Sequence, residues 1–255
     1  MTFSDLNLLK NIQQSLTEEG YENPTPIQQQ AIPIIMEGTD LVGCAQTGTG
    51  KTAAFAIPII NSLHRIVGSS AKRKMIRTLV VTPTRELAIQ IDESFNTYGK
   101  YTNIRSMVIF GGVSQVPQVD QLKKGIDILI ATPGRLLDLH KQGFIDLDHM
   151  HHLVLDEADQ MLDMGFINDV KKIPDNRQTL LFSATMPMAI RELADTFLTK
   201  PKYVSVDPVS STAEKVNQKV YFVGKEDKRK LLYHIIRNDK LENVLVFTRT
   251  KHGAD

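Results

Sequence analysis

Short apolar runs rich in β-branched residues alternate along most of the chain with amphipathic stretches of helical length. This alternation is typical of repeated strand–helix–strand units, in which helices connect parallel strands. We therefore predict an α/β fold with a mainly parallel sheet and helices on both faces. The predicted strands are 40–43, 79–81, 107–109, 128–130, 153–155 and 180–182. The predicted helices are about 51–66, 85–99, 114–124, 134–141, 158–163 and 188–198.

A polar motif follows each predicted strand, either at once or after one intervening residue. These motifs occupy 44–52, 82–85, 111–112, 132–135, 156–159 and 183–185. Because the carboxyl ends of parallel strands lie along one edge of an open sheet, we expect the motifs to converge on one crevice that binds a ligand. Turns after strands are commonly polar, which explains the polarity of the motifs but not their particular residue types.

The first motif matches the phosphate-loop pattern, with alanine in place of the usual first glycine. It consists of Ala45, Gln46, Thr47, Gly48, Thr49, Gly50, Lys51 and Thr52. The two glycines let the backbone wrap a polyphosphate, whose charge the N–H groups and the helix start would face. Lys51 is expected to reach the β and γ phosphates, and the Thr52 hydroxyl to bind Mg²⁺. The alternative is an ordinary glycine-rich turn, but the strand before the motif and the helix after it favour the phosphate loop.

Two acidic residues, Asp156 and Glu157, follow the apolar run 153–155. A phosphate loop needs a second ligand on the magnesium side, and we expect Asp156 to hold the cation through water. Glu157 would orient or deprotonate the attacking water. Acidic residues are also favoured in the first turn of any helix, so the pair alone does not decide between the two interpretations. Beside a phosphate loop, it predicts a catalytic set of Lys51, Asp156 and Glu157.

The letters D-E-A-D at 156–159, together with the order of the other motifs, resemble DEAD-box RNA helicases over essentially the whole chain. The resemblance implies a RecA-like P-loop NTPase fold, ATP and Mg²⁺ as cofactors, and RNA as the partner. It implies an ATP-dependent RNA helicase that remodels or unwinds short duplexes by ATP-driven closure on single-stranded RNA. One alternative is an ATP-gated RNA clamp, a binding module in which strand separation does not matter. A DNA translocase or another phosphate-loop ATPase is a third possibility. Such a protein would not require D-E-A-D together with Gln28 in the stretch P-T-P-I-Q at 24–28.

The N-terminal residues resemble the family's adenine-recognition element. The candidate contacts are Tyr21, Pro26 and Gln28. A side-chain amide such as that of Gln28 can pair with adenine N6 and N7, while an aromatic ring such as that of Tyr21 covers the base. This implies a preference for ATP over GTP. A capped turn beside a buried tyrosine is the alternative interpretation.

Three further loops resemble the family's RNA-contacting loops, and one resembles its coupling motif. The candidate RNA-binding residues are Pro83, Thr84, Arg85, Gly111, Gly112, Thr132, Pro133, Gly134 and Arg135. Guanidinium groups, hydroxyls and helix-start N–H groups suit a phosphate backbone, and such contacts carry low sequence specificity. A lone T-P-G-R would otherwise be read as a helix start. For the coupling motif, the resemblance implies that the hydroxyls of Ser183 and Thr185 form hydrogen bonds with Asp159.

The resemblance also suggests how the chain is divided. Residues 1–206 would form the ATP-binding domain, 207–216 a linker rich in Pro and Ser, and 217–255 the truncated start of a second motor domain. In this last part we predict a strand, a helix and a strand, the later strand at 244–247 within a stretch, 244–250, that resembles a strand and following motif of the family's second motor domain. We expect this part to be too small to bury a core by itself. The family's later motifs, with the arginines that act on the transferred phosphate, are not in these 255 residues, so we expect ATP binding with little hydrolysis. The stretch 170–175 is shorter than the helical stretch usual in the family.

Composition sets further limits. Lys and Arg total 30 against 29 Asp and Glu, so an RNA site must be local rather than part of a generally basic surface. Cys44 is the only cysteine, which excludes an intramolecular disulfide and fits a reducing compartment. The chain has no N-terminal signal pattern and no apolar run near the roughly 18 residues of a membrane span. We therefore expect a cytoplasmic protein that does not associate with membranes. Separately, we expect a monomer.

Overall fold

The computed structural model describes residues 1–67, 75–165, 177–206, 219–239, 241 and 243–248. The chain divides into two compact units, Met1–Pro208 and Val209–Asp255. The sequence features at 170–175 and 207–216 lie outside the described residues.

Within its described residues, the first unit contains one sheet of seven strands. The strands are β1 (Leu41–Cys44), β2 (Thr78–Val81), β3 (Ser106–Ile109), β4 (Ile128–Ala131), β5 (His152–Leu155), β6 (Gln178–Ser183) and β7 (Lys202–Ser205). Their order in the sheet is β3-β4-β2-β5-β6-β1-β7, and all the strand pairs are parallel. This confirms the predicted α/β fold and all six predicted strands. β7 was not predicted, because it lies at the sheet edge and buries only Val204, so it lacks an apolar run.

Helices cover both faces of this sheet. They are α1 (Lys10–Glu18), α2 (Pro26–Met36), α3 (Lys51–Val67), α4 (Arg85–Tyr98), α5 (Val116–Lys123), α6 (Pro133–Lys141), α7 (Ala158–Asp163) and α8 (Met188–Phe197). Alternate strand residues face opposite sides, which creates two apolar clusters. The first contains residues of α1 to α4, and the second contains residues of α5 to α8. The placement of helices on both faces is therefore confirmed, while α1 and α2 were not predicted.

Gly43 of β1 lies against the ring of Phe182 on the neighbouring strand β6. A Cβ at this position would lie 2.6 Å from two ring atoms of Phe182, too close for any real contact. The glycine in the middle of β1 therefore leaves room for a large core side chain on the neighbouring strand.

The described part of the second unit contains one helix, α9 (Lys228–Asn238), preceded by a 3-10 turn at Lys225–Asp227. The described residues at 244–247, which were predicted to form a strand, are exposed and have no strand structure. That prediction was wrong for this structure, since a strand forms only where a neighbour can pair with its backbone. The division into domains stays a prediction. None of the described helices has the length and apolar character that crossing a bilayer requires.

We predict that Asp40 is important for stability, because its buried carboxylate joins the start of β1 to two other segments. It accepts backbone hydrogen bonds from Thr179, at 2.8 Å, and from Thr199, at 2.7 Å. Asp40→Ala should lower the free energy of unfolding by about 1 to 3 kcal/mol, because the two N–H groups lose their partner. Urea denaturation measures this loss. Asp120→Ala, on the exposed side of α5, is the control, and an equally small effect of both changes would contradict the prediction.

Candidate functional site

The polar motifs lie along the carboxyl edge of the sheet, because the strand hydrogen bonding continues into them. The Ala45 N–H donates to the Ser183 carbonyl at 3.1 Å, and the Asp156 N–H donates to the Val81 carbonyl at 3.0 Å. The residues that follow β1, β2, β5 and β6 are thereby held beside one another. This is the arrangement expected of a parallel sheet that binds a ligand at its carboxyl edge.

The phosphate loop has the conformation that its glycines permit. Gly48 and Gly50 have φ angles of +82° and +92°, in the left-handed region that other residues rarely adopt. A Cβ on Gly50 would also collide with the side-chain amide of Gln28 and lie 3.0 Å from the Thr25 hydroxyl oxygen. Within the loop, the Thr49 hydroxyl donates to the Gln46 carbonyl at 2.7 Å. Glycine at position 50 is therefore required by both backbone angle and space.

The start of α2 supports the phosphate loop directly. Gln28 Nε2 donates to the Gly50 carbonyl at 3.1 Å, while Gln28 Oε1 accepts from the Thr25 N–H at 2.9 Å. The Thr25 hydroxyl donates to the Thr49 carbonyl at 2.9 Å. Gln28 is buried, and each of its polar atoms retains one further hydrogen-bonding position. Its predicted pairing with adenine therefore stays a prediction that would add to these contacts.

Tyr21 packs edge-on between two other aromatic rings. Its ring centroid lies 6.1 Å from that of Phe3 and 5.8 Å from that of Tyr98, and its hydroxyl lies 3.1 Å from the Tyr98 hydroxyl. Tyr21 remains partly exposed, while Pro26 is exposed at the first position of α2. Both residues lie near the surface, and their roles in binding a base stay predictions.

Lys51 begins α3 and is only 6% exposed. Its ammonium nitrogen is buried and has no hydrogen-bond partner among the described residues. A buried cation without hydrogen bonds is unfavourable, which makes this position suited to an anionic ligand. The ammonium is close enough to the Asp156 carboxylate to influence its titration.

Asp156 is the most buried acidic residue of the motifs, at 2% exposure. Burial raises the pKa of Asp156 to about 6, the Lys51 ammonium opposes this rise, and the Glu157 carboxylate adds to it. The Glu157 N–H donates to Asp156 Oδ1 at 3.1 Å. Glu157 has a φ of 54°, which is uncommon outside glycine and occurs often at functional sites. The pair therefore combines a carboxyl with a raised pKa and a backbone conformation under strain.

The predicted hydrogen bond between Thr185 and Asp159 is present. The Thr185 N–H and hydroxyl donate to Asp159 Oδ2 at 3.1 Å and 2.9 Å. The same prediction for Ser183 was wrong, because the Ser183 hydroxyl has no hydrogen-bond partner within the described part of the chain. Ser183 is the last residue of a buried strand, whereas Thr185 lies beyond it on an exposed loop. The coupling role of these residues stays a prediction.

The three predicted RNA loops surround one shallow groove of about 530 Å³. Its lining residues are Pro83, Arg85, Phe110, Gly111, Thr132, Pro133, Gly134, Arg135 and Asp138. Gly112 and Thr84 are not among them, and the Thr84 hydroxyl instead accepts from the Leu87 N–H at the start of α4. Phe110 and Asp138 were missed by the sequence analysis. The position of Phe110 between a strand and a glycine pair was the signal that could have identified it.

The two arginines of this groove differ in their surroundings. The Arg85 guanidinium carbon lies 4.5 Å from the centroid of the Phe110 ring, and Arg85 is exposed. Arg135 Nη2 donates to the Val113 carbonyl at 2.8 Å, and Arg135 Nε lies 3.9 Å from Asp138 Oδ2. Arg135 Nη1 is buried and has no partner in the described ranges. The loops therefore provide one exposed guanidinium and one that is largely enclosed.

We predict that Asp156→Asn stabilises the protein at neutral pH. The pKa of Asp156 is about 6 in the folded protein, whereas the ordinary pKa of an aspartate is 3.8. The stability that the bound proton contributes is therefore fully present below about pH 4 and is lost as the pH rises through 6. The asparagine variant should be more stable than the parent by about 1 to 3 kcal/mol at pH 7.5, with the difference vanishing near pH 4.

Urea denaturation between pH 4 and pH 8, in the absence of nucleotide, checks this prediction. Asp163→Asn, an exposed change at the end of α7, is the matched control and should show no such trend. A variant that is less stable than the parent at pH 7.5 would contradict the assignment.

Comparison with known proteins agrees with this geometry. The DEAD/DEAH box helicase family model matches residues 25–193. The DEAD-box ATP-dependent RNA helicase RhpA of Helicobacter pylori is 41% identical over 258 residues, which cover 100% of this chain and 51% of RhpA. The ATP-dependent RNA helicase RhlB of Shewanella denitrificans is 39% identical over 99% of this chain and 60% of its own length. The chain thus spans roughly half the length of RhpA and somewhat more of RhlB.

A solved structure shows the same architecture. The crystal structure of a DEAD box protein from the hyperthermophile Methanococcus jannaschii is 35% identical, with a TM-score of 0.74, over 99% of this chain and 67% of that one. The fold is thus the RecA-like fold that the resemblance implied. Because the family model matches more than half of the chain and the relatives align along nearly all of it, the chain belongs to the DEAD/DEAH box helicase family.

Proposed function

We propose that this chain is the ATP-binding part of an ATP-dependent RNA helicase that remodels or unwinds short RNA duplexes by ATP-driven closure on single-stranded RNA. The observation that carries this proposal is the buried ammonium of Lys51, which has no hydrogen-bond partner within the described ranges and lies near the Asp156 carboxylate. A polyphosphate would supply the missing acceptors.

The phosphate-loop residues would bind ATP through backbone N–H groups, the Lys51 ammonium and the N-terminus of α3. The candidate loop residues are Ala45, Gln46, Thr47, Gly48, Thr49, Gly50, Lys51 and Thr52. Gln28 would read the adenine while it continues to hold the Gly50 carbonyl, so that base recognition and the shape of the loop are linked. Tyr21 and Pro26 would lie beside the base at the start of α2.

A magnesium ion fits the donors of this site. No cluster of three or more His, Cys, Asp or Glu side chains that could hold a metal occurs in the described residues, but Mg²⁺ usually keeps several waters and needs only one or two carboxylates plus substrate phosphates. Asp156 and the Thr52 hydroxyl would provide the protein ligands. When bound, Mg²⁺ would neutralise negative charge on the phosphates. Asp156 must lose its proton to serve as a ligand, so binding should weaken below about pH 6.

Hydrolysis would depend on Glu157, which would orient the attacking water or accept its proton. The hydrogen bonds from Thr185 to Asp159 would connect this region to closure of the two motor domains. The family's arginines that act on the transferred phosphate are not in these 255 residues, so the chain alone should bind ATP but hydrolyse it slowly.

RNA would bind along the groove between the three loops. The guanidinium of Arg85, the Thr132 hydroxyl and the start of α6 offer donors suited to phosphate oxygens. Such contacts follow the backbone and its 2′-hydroxyls, which implies low sequence specificity. The name of RhpA describes an RNA helicase, in agreement with this partner. The cytoplasmic location and the monomeric state remain predictions.

We predict that Lys51→Gln abolishes most of the affinity for Mg·ATP. Loss of the charged donor should weaken binding by at least about tenfold, because hydrogen bonds to charged groups contribute more than neutral ones. Isothermal titration calorimetry with Mg·ATP measures this change. Lys141→Gln, an exposed change at the end of α6, should bind as the parent does. Absence of heat from the parent at millimolar Mg·ATP would refute the proposed function.

We predict that Glu157→Gln, in a protein that includes the complete second motor domain, separates the helicase from the clamp. Turnover should fall by about a hundredfold or more, since a general base contributes that much, while ATP-dependent RNA binding persists. Loss of duplex unwinding would support the helicase, and retained biological activity without turnover would favour the clamp. Equal stimulation of the parent's ATPase by DNA and RNA would point to a DNA translocase instead.

A further inference from the structure

Phe110 connects β3 to Gly111 and lies beneath the exposed guanidinium of Arg85. The distance of 4.5 Å from the Arg85 guanidinium carbon to the ring centroid is typical of a cation–π contact. The Arg85 side chain forms no hydrogen bond or ion pair within the described part of the chain, so its N–H groups are available. Arg85 therefore has an exposed positive charge, and one face of its guanidinium packs on the Phe110 ring.

The backbone of Phe110 is held by a side chain of α5. Gln118 Oε1 accepts from the Phe110 N–H at 3.2 Å, and Gln118 Nε2 donates to the Phe110 carbonyl at 3.3 Å. The same nitrogen lies 3.4 Å from the Ser114 carbonyl. Gln118 is only 9% exposed, so these hydrogen bonds are largely protected from water. The first residue of the loop is thus fixed on both sides of its Cα atom.

Arg135 holds the middle of the same loop. Its Nη2 donates to the Val113 carbonyl at 2.8 Å, and its side chain is only 10% exposed. Because the Arg135 guanidinium is enclosed in this way, it contributes more to the shape of the loop than to direct contact with RNA. Arg85, by contrast, is exposed, and its guanidinium packs on the Phe110 ring.

A guanidinium that rests on an aromatic face keeps its N–H edges free, and these edges match the oxygens of a phosphate. An arginine already held in place also loses less conformational freedom when it binds. We propose that Phe110 is a positioning residue that orients Arg85 toward an RNA phosphate, with Gln118 and Arg135 fixing the loop that carries the ring. This inference rests on the proposed binding of RNA in the groove.

The test compares Phe110→Leu with Phe110→Tyr in the 255-residue chain. Binding of a fluorescein-labelled single-stranded oligouridylate is measured by anisotropy at low salt. Leucine keeps an apolar side chain but removes the π face, so affinity should fall about two- to fivefold, whereas tyrosine should restore the parent affinity. Phe144→Leu, an exposed change outside the groove, is the matched control and should bind as the parent does. Unchanged thermal stability would confirm that each variant is folded.

A double-mutant cycle with Arg85→Ala identifies the cause of any loss. In that background Phe110→Leu should have no further effect, and Arg85→Ala should lower the slope of log affinity against log salt by about 0.7, the value for one phosphate contact. Parent-like affinity of Phe110→Leu, or the same loss in both backgrounds, would overturn the positioning role alone. Failure of the parent chain to bind the oligonucleotide would overturn the proposed binding of RNA by the groove of this chain as well.

Discussion

The candidate site depends on a buried ammonium that the described residues provide with no hydrogen-bond acceptor. Lys51 begins α3 at the carboxyl edge of the sheet, near a carboxylate whose pKa is raised by burial. The Lys51 ammonium and the Asp156 carboxylate are both partly desolvated. A bound phosphate would stabilise the ammonium, and a bound cation would stabilise the carboxylate. The geometry is unfavourable without a ligand and becomes favourable with one, as expected of a site shaped for binding rather than for stability.

The element around Gln28 shows how one side chain can serve structure and recognition together. Its amide donates to the Gly50 carbonyl and accepts from the Thr25 N–H, and the space beside Gly50 admits no Cβ because of this contact. Any shift of Gln28 on binding a base would therefore change the hydrogen bond that holds Gly50 in the phosphate loop. This contact gives a physical reason for base recognition to affect phosphate binding, since both depend on the same hydrogen bonds.

The two arginines of the groove have different roles. Arg85 and Arg135 are equally basic in sequence, yet one rests exposed on the Phe110 ring and the other is mostly enclosed and bonded to the Val113 carbonyl. With nearly balanced charge over the whole chain, local placement of this kind decides where an anion is attracted. A substitution at either arginine should therefore have different consequences, one acting mainly on phosphate contact and the other on the loop.

The sequence by itself determined the parallel α/β architecture, the phosphate loop and the order of motifs, because these depend on local periodicity and on glycines at required backbone angles. It did not predict α1, α2 or the edge strand β7, and it predicted a strand at 244–247 that is absent from this structure. Tertiary structure alone decided that Thr185 rather than Ser183 pairs with Asp159, and that Phe110 supports Arg85. These partners come from different elements, and only packing brings them together.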